Sequence, residues 1–169
     1  ATGFVGQRLI GALTQDVDGN SSHVRLRFLT RILHPDYESV VCDLQSEKVP
    51  DDALNGVDTV FHLAGYTHDQ RDATDVEHLY HMVNVNATEC LAKLAVASGV
   101  KQFVFVSSVK AGGPPVLGQC SSENDQGVPE GIYGKTKREA EIQLLDIGIK
   151  SGMNISIVRP SLVYGPNVK

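Results

Sequence analysis

Tyr133 and Lys137 are the two residues whose types and spacing point most directly to chemistry. They stand four apart in "IYGKTKREAEIQLL", a run that predicts a helix, and this spacing puts both side chains on one helix face. A lysine ammonium near a phenol favours the phenolate and lowers a pKa that is ordinarily about 10. Such a tyrosine can exchange a proton with a carbinol or a carbonyl near neutral pH. The alternative is an ordinary helix with one aromatic residue and one of several lysines.

Two hydroxyl side chains, Ser107 and Ser108, follow the apolar run "QFVFV", and Ser108 precedes Tyr133 by 25 residues. In open α/β sheets, ligands bind at the carboxyl ends of the strands. A serine at such an end could therefore contact the same ligand as Tyr133. Serine is also common at strand ends, so this interpretation depends on its combination with Tyr133 and Lys137.

The opening stretch "ATGFVG" has the glycine spacing of a loop that leads into a helix and holds a pyrophosphate on backbone N–H groups. Such a loop normally follows a β-strand, and no residue precedes Ala1. We therefore expect the strand before this loop to lie outside the printed sequence. Small or polar residues also follow later predicted strands, and a further polar residue lies on the next predicted helix: Asp43, Ala64 and Gly65 after the strands, and Asn84 on the helix.

Short β-rich runs alternate with helical patterns along the chain. Strands are predicted at about 23–30, 39–44, 58–65, 102–109 and 154–160, and helices at 4–16, 76–98 and 133–151, with a weaker one near 50–55. This alternation favours right-handed βαβ units and a parallel sheet. The run "FVFV" is typical of a central strand buried on both faces. The Gly-, Pro- and Ser-rich segment 111–131 predicts a loop at the rim of a site, with a flexible surface loop as the alternative.

The 169-residue chain is 41% hydrophobic and 21% charged, which is the composition of one globular domain. Its net charge of −5 argues against a nucleic-acid or anionic-membrane partner. No run approaches the roughly 20 apolar residues of a membrane span. Cys42, Cys90 and Cys120 are odd in number and form no CxxC pair, which favours a reducing, cytoplasmic location. His78 and His81 lack the partners of a zinc site, so no metal is expected.

These motifs, in this order, resemble the extended short-chain dehydrogenase/reductase family, in its NAD-dependent epimerase/dehydratase branch. The opening "ATGFVG" is similar to the family's T-G-x-x-G-x-x-G loop. Later stretches resemble its further landmarks: "HLAG", "NVNAT", "VFVSS", "YGKTK" and "VRPSLVYGP". The stretches "SSVKAGG" and "RPSLVYGPNVK" look closest to bacterial epimerase-like and 4-keto-reductase proteins that act on UDP-N-acetylhexosamines.

The resemblance implies that residues 1–169 are a single dinucleotide-binding Rossmann domain with a doubly wound parallel sheet of strand order 3-2-1-4-5-6. Its first, central strand and a C-terminal substrate-binding region are expected to lie outside the printed sequence.

The resemblance also implies roles for individual residues. Tyr133 would be the general acid/base, Lys137 would lower its pKa and contact the nicotinamide ribose, and Ser108 would hydrogen-bond the reacting sugar oxygen. Ser108 is preferred over Ser107 because it takes the position of the family's catalytic hydroxyl. The implied NAD or NADP contacts are Thr2, Gly3, Phe4, Val5, Gly6, Thr30, Arg31, Asp43, Leu44, Leu63, Ala64, Gly65, Asn84, Tyr133, Lys137, Pro160 and Val163.

Three departures from the family pattern refine these expectations. NAD-specific members carry an acidic residue where "FLTR" has Thr30 and Arg31, which favours NADP because a cation suits a 2′-phosphate. The 4,6-dehydratases place Asp-Glu after the catalytic hydroxyl, and the pair 109–110 is Val-Lys here, which argues against a dehydratase. Epimerases commonly have an aromatic-Gly pair where 112–113 is Gly-Gly, so redox chemistry is the firmer expectation.

The leading hypothesis is therefore a UDP-sugar epimerase or 4-keto-reductase. One alternative is an NADP-dependent reductase of a steroid- or phenylpropanoid-type substrate. Another is a dinucleotide-binding sensor without turnover, although such proteins typically lose the tyrosine or the lysine, and Tyr133 and Lys137 are both present. By analogy with many relatives, helices 76–98 and 133–151 would pair in a homodimer.

Overall fold

The computed structural model describes residues 3–14, 24–46, 48–67, 73–124 and 126–166. The strands are β1 (Arg27–Thr30), β2 (Glu38–Val41), β3 (Thr59–His62), β4 (Gln102–Val106) and β5 (Asn154–Val158). The helices are α1 (Phe4–Thr14), α2 (Ala73–His81), α3 (Ala87–Ala97) and α4 (Gly131–Ser151), with a π-helical turn (Met82–Asn86) and a 3-10 turn (Val109–Ala111). The predicted alternation of strands and helices is confirmed.

The chain divides into two compact units, Ala1–Ala53 with Tyr164–Lys169, and Leu54–Val163. In the first unit, β1 and β2 pair in parallel. In the second, three parallel strands follow the order β3-β4-β5. Both orders agree with the strand order that the family resemblance implies, and the α/β class with parallel sheets is confirmed. A single domain over residues 1–169 stays a prediction.

The middle strand β4 supplies the core of the second unit. Phe103 and Phe105 are both 0% exposed, whereas Val104 and Val106 on the opposite face are only half-buried. Successive side chains of a strand point to opposite faces, and α4 lies on the phenylalanine face, where Lys137 contacts the ring of Phe105. The central position is as predicted, but full burial is found on one face rather than on both.

The helix predicted at 76–98 is present from residue 73 to residue 97, but a π-helical turn interrupts it. Three successive residues in this turn, Val83, Asn84 and Val85, are buried. In a regular α-helix, successive side chains point in different directions around the helix axis, so three in a row do not all face the core. The wider turn, closed by the Ala87 N–H bonding to the Met82 carbonyl, brings them to one side.

The prediction of a helix near 50–55 is wrong, because this segment is a series of turns. The Ala53 N–H bonds to the Pro50 carbonyl at 3.0 Å, and the Val57 N–H bonds to the Leu54 carbonyl at 3.1 Å. Gly56 has a φ of 71°, a left-handed conformation that does not continue a helix. The segment after the 3-10 turn has no further helix or strand up to Gly131 in its described part, as predicted. None of the described helices has both the length and the apolar character of a membrane span.

Candidate active site

The Lys137 side chain is the best-defined feature of the candidate site. The residue is 2% exposed, and its Nζ donates a hydrogen bond of 2.8 Å to the Val106 carbonyl at the end of β4. The same Nζ lies 4.3 Å from the centre of the Phe105 ring. The helix therefore delivers the lysine to the carboxyl end of a parallel strand, which is where ligands bind in folds of this class.

Two basic side chains share this buried region. Burial lowers the pKa of Lys137 to about 8, and the carboxylate of Glu141 opposes that effect. Burial also lowers the pKa of His62 to about 3, and the charge of Lys137 adds to the lowering. His62 is therefore neutral near pH 7, with its Nε2 2.9 Å from the Thr88 hydroxyl, while most Lys137 side chains keep their charge.

Asn84, in the π-helical turn, holds the segment after β3 in place. It is 0% exposed, and its Oδ1 accepts from the Tyr66 N–H at 2.7 Å. Its Nδ2 donates to the Tyr66 carbonyl and to the Thr136 hydroxyl, both at 3.1 Å. A Cβ atom on Gly65 would lie 3.3 Å from Asn84 Oδ1 and 3.5 Å from Lys137 Nζ. The structure thus brings Gly65, Asn84 and Lys137 together. The predicted roles of Gly65 and Asn84 at the middle of the cofactor, and of Lys137 at the nicotinamide ribose, stay predictions.

The two serines after β4 have different surroundings. Ser107 is 3% exposed, and its Oγ has no hydrogen-bond partner in the described part of the chain. Ser108 is half-buried, and its Oγ accepts from the Lys110 N–H at 3.3 Å as the cap of the 3-10 turn. A buried hydroxyl without a partner costs about 1–3 kcal/mol, so Ser107 marks a point where a ligand's polar group would be stabilised.

Tyr133 lies half-buried in the first turn of α4. Burial raises its pKa above the ordinary value, and the neighbouring Tyr80 adds to the rise. This is the opposite of the predicted lowering by Lys137. The physical reason is that the Lys137 ammonium bonds to the Val106 carbonyl and contacts the Phe105 ring, and the phenol is left in a partly apolar environment.

Backbone contacts join the end of β4 to the start of α4. The Glu130 N–H bonds to the Lys110 carbonyl at 3.0 Å, and a Cβ on Gly134 would be 2.5 Å from that carbonyl oxygen. Arg138 Nε donates to the Ala111 carbonyl at 2.8 Å. These contacts anchor the segment that carries Ser108 to the helix turn that carries Tyr133.

A buried ion pair fixes the far side of the same helix. Glu141 is 2% exposed and accepts two hydrogen bonds from Arg159, at 2.9 and 2.5 Å. Arg159 directly follows β5 and precedes Pro160, whose carbonyl accepts from the Val109 N–H at 3.1 Å. Pro160 is half-buried and Val163 is 40% exposed, so both predicted nicotinamide neighbours retain accessible surface.

The predicted pyrophosphate residues belong to the first unit, except Thr2, which lies outside the described residues. Helix α1 begins at Phe4, directly after Gly3, and the Gln7 N–H bonds to the Gly3 carbonyl at 3.0 Å. The earlier N–H groups of a helix have no intrahelical acceptor. Gly3 and Val5 are exposed and Gly6 is buried, and a Cβ on Gly3 would meet no atom of the described residues within 4 Å.

The predicted adenosine contacts also lie in the first unit. Thr30 Oγ1 donates to the Ile32 carbonyl at 2.7 Å, and Arg31 is exposed. Asp43 Oδ1 accepts from the Gln45 N–H at 3.0 Å in the turn after β2. Leu44 in that turn is half-buried, as is Leu63 after β3 in the second unit.

The whole chain, residues 1–169, matches the model of the NAD dependent epimerase/dehydratase family. The chain belongs to this family. It is 36% identical over 174 residues to the UDP-glucose 4-epimerase of Vibrio cholerae, covering 100% of this chain and 52% of that protein. It is 31% identical to the N-acetyl-alpha-D-glucosaminyl-diphospho-ditrans,octacis-undecaprenol 4-epimerase of Escherichia coli O157:H7, covering 98% and 47%.

Other members of the family resemble the chain with different printed activities and ligands. A 3 beta-hydroxysteroid dehydrogenase/Delta 5-->4-isomerase of Mycobacterium tuberculosis is 30% identical, covering 96% of this chain and 45% of that protein. The solved structure of MoeE5 in complex with UDP-glucose and NAD superposes with a TM-score of 0.81 at 29% identity, covering 100% and 55%. The chain thus spans about half the length of the curated relatives it matches, and its Rossmann fold is confirmed.

Membership of an NAD-dependent family raises the question of whether these residues fit a dinucleotide, and two observations indicate that they do. The Ser107 hydroxyl is buried without a partner. The absent side chain of Gly65 leaves space beside Lys137 Nζ that a Cβ would fill. In the described ranges, no three His, Cys, Asp or Glu side chains gather as ligands of a metal ion would.

Several residues that shape this site were not predicted from the sequence. They are His62, Thr88, Phe105, Thr136, Glu141 and Arg159. Glu141 follows Lys137 at the same spacing of four that separates Lys137 from Tyr133, so the periodicity could have indicated it. Thr136 and Phe105 stand near predicted site residues, but their contacts, like those of His62, Thr88 and Arg159, join different strands and helices, and no local pattern indicates them.

Proposed function

We propose that this family member is an NAD(P)-dependent nucleotide-sugar epimerase or 4-keto-reductase acting through Ser108, Tyr133 and Lys137. The observation that carries the proposal is the buried Lys137 ammonium, hydrogen-bonded to the Val106 carbonyl at the carboxyl end of β4. This lysine follows Tyr133 by one helical turn, and Ser108 stands two residues beyond Val106. The sugar-epimerase relatives support a nucleotide sugar as the substrate.

In this proposal each of the three side chains handles the substrate oxygen or its proton. Tyr133 exchanges the proton, Ser108 hydrogen-bonds the sugar oxygen, and the charged Lys137 binds the nicotinamide ribose and favours the phenolate when the tyrosine is the base. Because burial raises the pKa of Tyr133, the phenol form predominates near pH 7 in the chain by itself. A neutral phenol can donate a proton to a ketone oxygen, a step that the reductase and the second half of an epimerisation share.

The bound nicotinamide would supply hydride transfer, and the chain's residues would hold and orient it. We assign the pyrophosphate to the first turn of α1, with Gly3, Phe4, Val5 and Gly6, because a helix N-terminus favours an anion. Asp43 and Leu44 would contact adenine, and Leu63, Ala64, Gly65 and Asn84 the middle of the cofactor. Pro160 and Val163 would pack beside the nicotinamide.

The choice between NAD and NADP is part of the proposal. Arg31 is exposed at the end of β1, and a guanidinium suits a 2′-phosphate. The MoeE5 relative was solved with NAD. The preference for NADP, which rests on Thr30 and Arg31, stays a prediction. The assay below tests this preference by comparing NADPH with NADH as the reductant.

The proposal is tested with the protein expressed from its complete gene. Loss of reduced-nicotinamide absorbance is followed with a UDP-4-keto-hexosamine, and UDP-hexoses are checked for epimerised product. We expect Tyr133→Phe to lower whichever activity is present by about 100-fold or more, since a general acid/base contributes about that much. Tyr37→Phe is the control, because this tyrosine packs against Phe28 in the first unit and has no proposed role in proton transfer.

Each other outcome of this assay contradicts a different part of the proposal. If Tyr37→Phe lost as much activity as Tyr133→Phe, the loss could not be assigned to proton transfer by Tyr133. No turnover of nucleotide sugars, together with oxidation of a 3β-hydroxysteroid, would favour the second candidate, which the 30% identical mycobacterial relative supports. Dinucleotide binding without turnover of either substrate would favour the non-catalytic sensor.

We also infer a homodimer formed through α2, α3 and α4, as expected from the family. Three residues of α4 form an exposed apolar stripe at helical spacing: Ile142 at 61%, Leu145 at 46% and Ile149 at 85% exposure. Such a stripe is unusual on a solvated helix. A cytoplasmic location is proposed because the chain has three cysteines, an odd number, with no CxxC pair.

A further inference from the structure

We propose that Phe105 is a positioning residue for Lys137: its ring face and the Val106 carbonyl together hold the buried ammonium charged and fixed at the carboxyl end of β4. The inference rests on the proposed function only for its catalytic consequence. Its structural basis is the distance of 4.3 Å between Lys137 Nζ and the centre of the Phe105 ring. At that distance an ammonium is attracted by the negative face of the ring.

Burial makes this contact important. Lys137 is 2% exposed, so water cannot stabilise its charge, and the Val106 carbonyl accepts only one of its three N–H donors. The Phe105 ring is 0% exposed and occupies a second side of the ammonium. An aromatic ring stabilises a cation more strongly when both are desolvated.

The other charged and titratable groups around Lys137 do not replace the effect of the Phe105 ring on its charge. On α4 itself, Glu141 favours the charged form, but two hydrogen bonds from Arg159 engage that carboxylate. From β3, His62 stacks on the Phe105 ring with centroids 5.7 Å apart and is neutral near pH 7. Tyr80 of α2 raises the pKa of Tyr133, and Asn84 of the π-helical turn carries no charge. The ring is therefore one of few groups next to the ammonium that favour its charge.

The strand also provides a matched control. Phe103 stands two residues before Phe105 on the same face of β4, is likewise 0% exposed, and likewise contacts His62, with ring centroids 6.0 Å apart. The cation contact belongs to Phe105. Changes at the two positions should therefore perturb the core similarly but differ in their effect on Lys137.

The experiment replaces Phe105 with phenylalanine analogues carrying one, two or three ring fluorines, which withdraw the negative charge of the ring face with little change in size. The protein from the complete gene is labelled with ¹³C at lysine Cε, the Lys137 signal is assigned by its loss in Lys137→Arg, and its pKa is measured by NMR titration. We expect the pKa of Lys137 to fall stepwise with fluorine number, by about one pH unit in total. The same analogues at Phe103 should leave it unchanged.

A pKa of Lys137 that is unaffected by fluorination at Phe105, or that falls equally at Phe103, would overturn the proposal. Phe105→Leu and Phe103→Leu provide a second comparison, in which only the first should move the Lys137 pKa and the corresponding limb of the pH–activity profile to lower pH. The NMR titration needs no substrate. If the wild-type protein shows no turnover of nucleotide sugars, the proposed function fails while the titration still decides the role of Phe105.

Discussion

At the scale of single residues, the candidate site keeps the buried Lys137 charged and the buried His62 neutral near pH 7. Lys137 and His62 both contact the Phe105 ring, one through its ammonium and the other by stacking. Their pKa values, about 8 and about 3, place neutral pH between the two titrations. Protonation of His62 would put a second positive charge near Lys137 in a buried region, so acidification should destabilise the fold here.

We therefore expect His62 to cause a loss of stability at acidic pH. The unfolded chain takes up a proton near the ordinary pKa of 6.5, whereas the folded chain does so only near 3, so the unfolding free energy falls as the pH drops from about 6.5 towards 3. Over this whole interval the contribution is about 5 kcal/mol. Urea unfolding of the wild type and His62→Gln between pH 7.5 and 4 checks it, and the variant should show the shallower pH dependence.

His78→Gln is the matched control for this measurement, because His78 lies exposed on α2. Its pH dependence of stability should equal that of the wild type. An unchanged slope in His62→Gln would show that the acid sensitivity comes from other groups, and His62 would then not be the buried neutral base described here.

At the scale of elements, the proposed function depends on how α4 packs against the end of β4. Gly134 lies directly against the Lys110 carbonyl, the Glu130 N–H bonds to that carbonyl, and Arg138 bonds to the Ala111 carbonyl. The helix ends at Gly152, whose φ of 79° terminates it in the left-handed conformation. Tyr133 and Ser108 are thus held by backbone contacts between their elements.

Gly134→Ala should push α4 away from the 3-10 turn that follows β4. The new Cβ would meet the Lys110 carbonyl oxygen at 2.5 Å and its carbon at 3.0 Å, and backbone atoms cannot yield as a flexible side chain can. We expect a destabilisation of about 1–3 kcal/mol, as for other overpacked positions, with a loss of turnover. Urea unfolding and the nicotinamide assay measure the two effects.

Gly11→Ala in α1 is the control for helix propensity, since a Cβ there meets no atom of the described residues within 4 Å. This substitution should stabilise the protein by about 0.5–1 kcal/mol. If Gly134→Ala were stabilising as well, the close approach of α4 to the 3-10 turn would not be essential.

At the scale of the whole molecule, the printed chain spans about half the length of its curated relatives, so the proposed activity is assayed on the protein from the full gene. The proposed homodimer belongs to this scale too. The apolar stripe of Ile142, Leu145 and Ile149 lies on α4, the helix that also carries Tyr133 and Lys137. Assembly through this stripe would therefore stabilise the helix that carries the candidate catalytic pair.

Ile142→Glu combined with Ile149→Glu should convert the dimer to a monomer, because two carboxylates would have to be buried without partners. Sedimentation velocity of the protein from the complete gene measures the change in mass. Val128→Glu is the control, since Val128 is 78% exposed but lies in the irregular segment before α4. A wild-type monomer, or a dimer that persists in the double variant, would contradict this interface.

The sequence by itself determined the order of the strands and helices, and it predicted the candidate site residues. Helix periodicity places Tyr133 and Lys137 on one face, and the apolar run before Ser107 and Ser108 ends as a strand. Both features depend on residues a few positions apart, so they are visible in the printed chain. The same local signals failed near 50–55, where turn hydrogen bonds and Gly56 replace the expected helix.

Only the tertiary structure decided the environment of the site. The neighbours of Lys137, the π-helical turn around Asn84 and the raised pKa of Tyr133 all depend on groups from other elements. The Val106 carbonyl and Lys137 Nζ, for example, are 31 residues apart in sequence and 2.8 Å apart in space. Burial, which moves the pKa values of Tyr133, Lys137 and His62, arises from packing between distant segments, and no local spacing of residues specifies it.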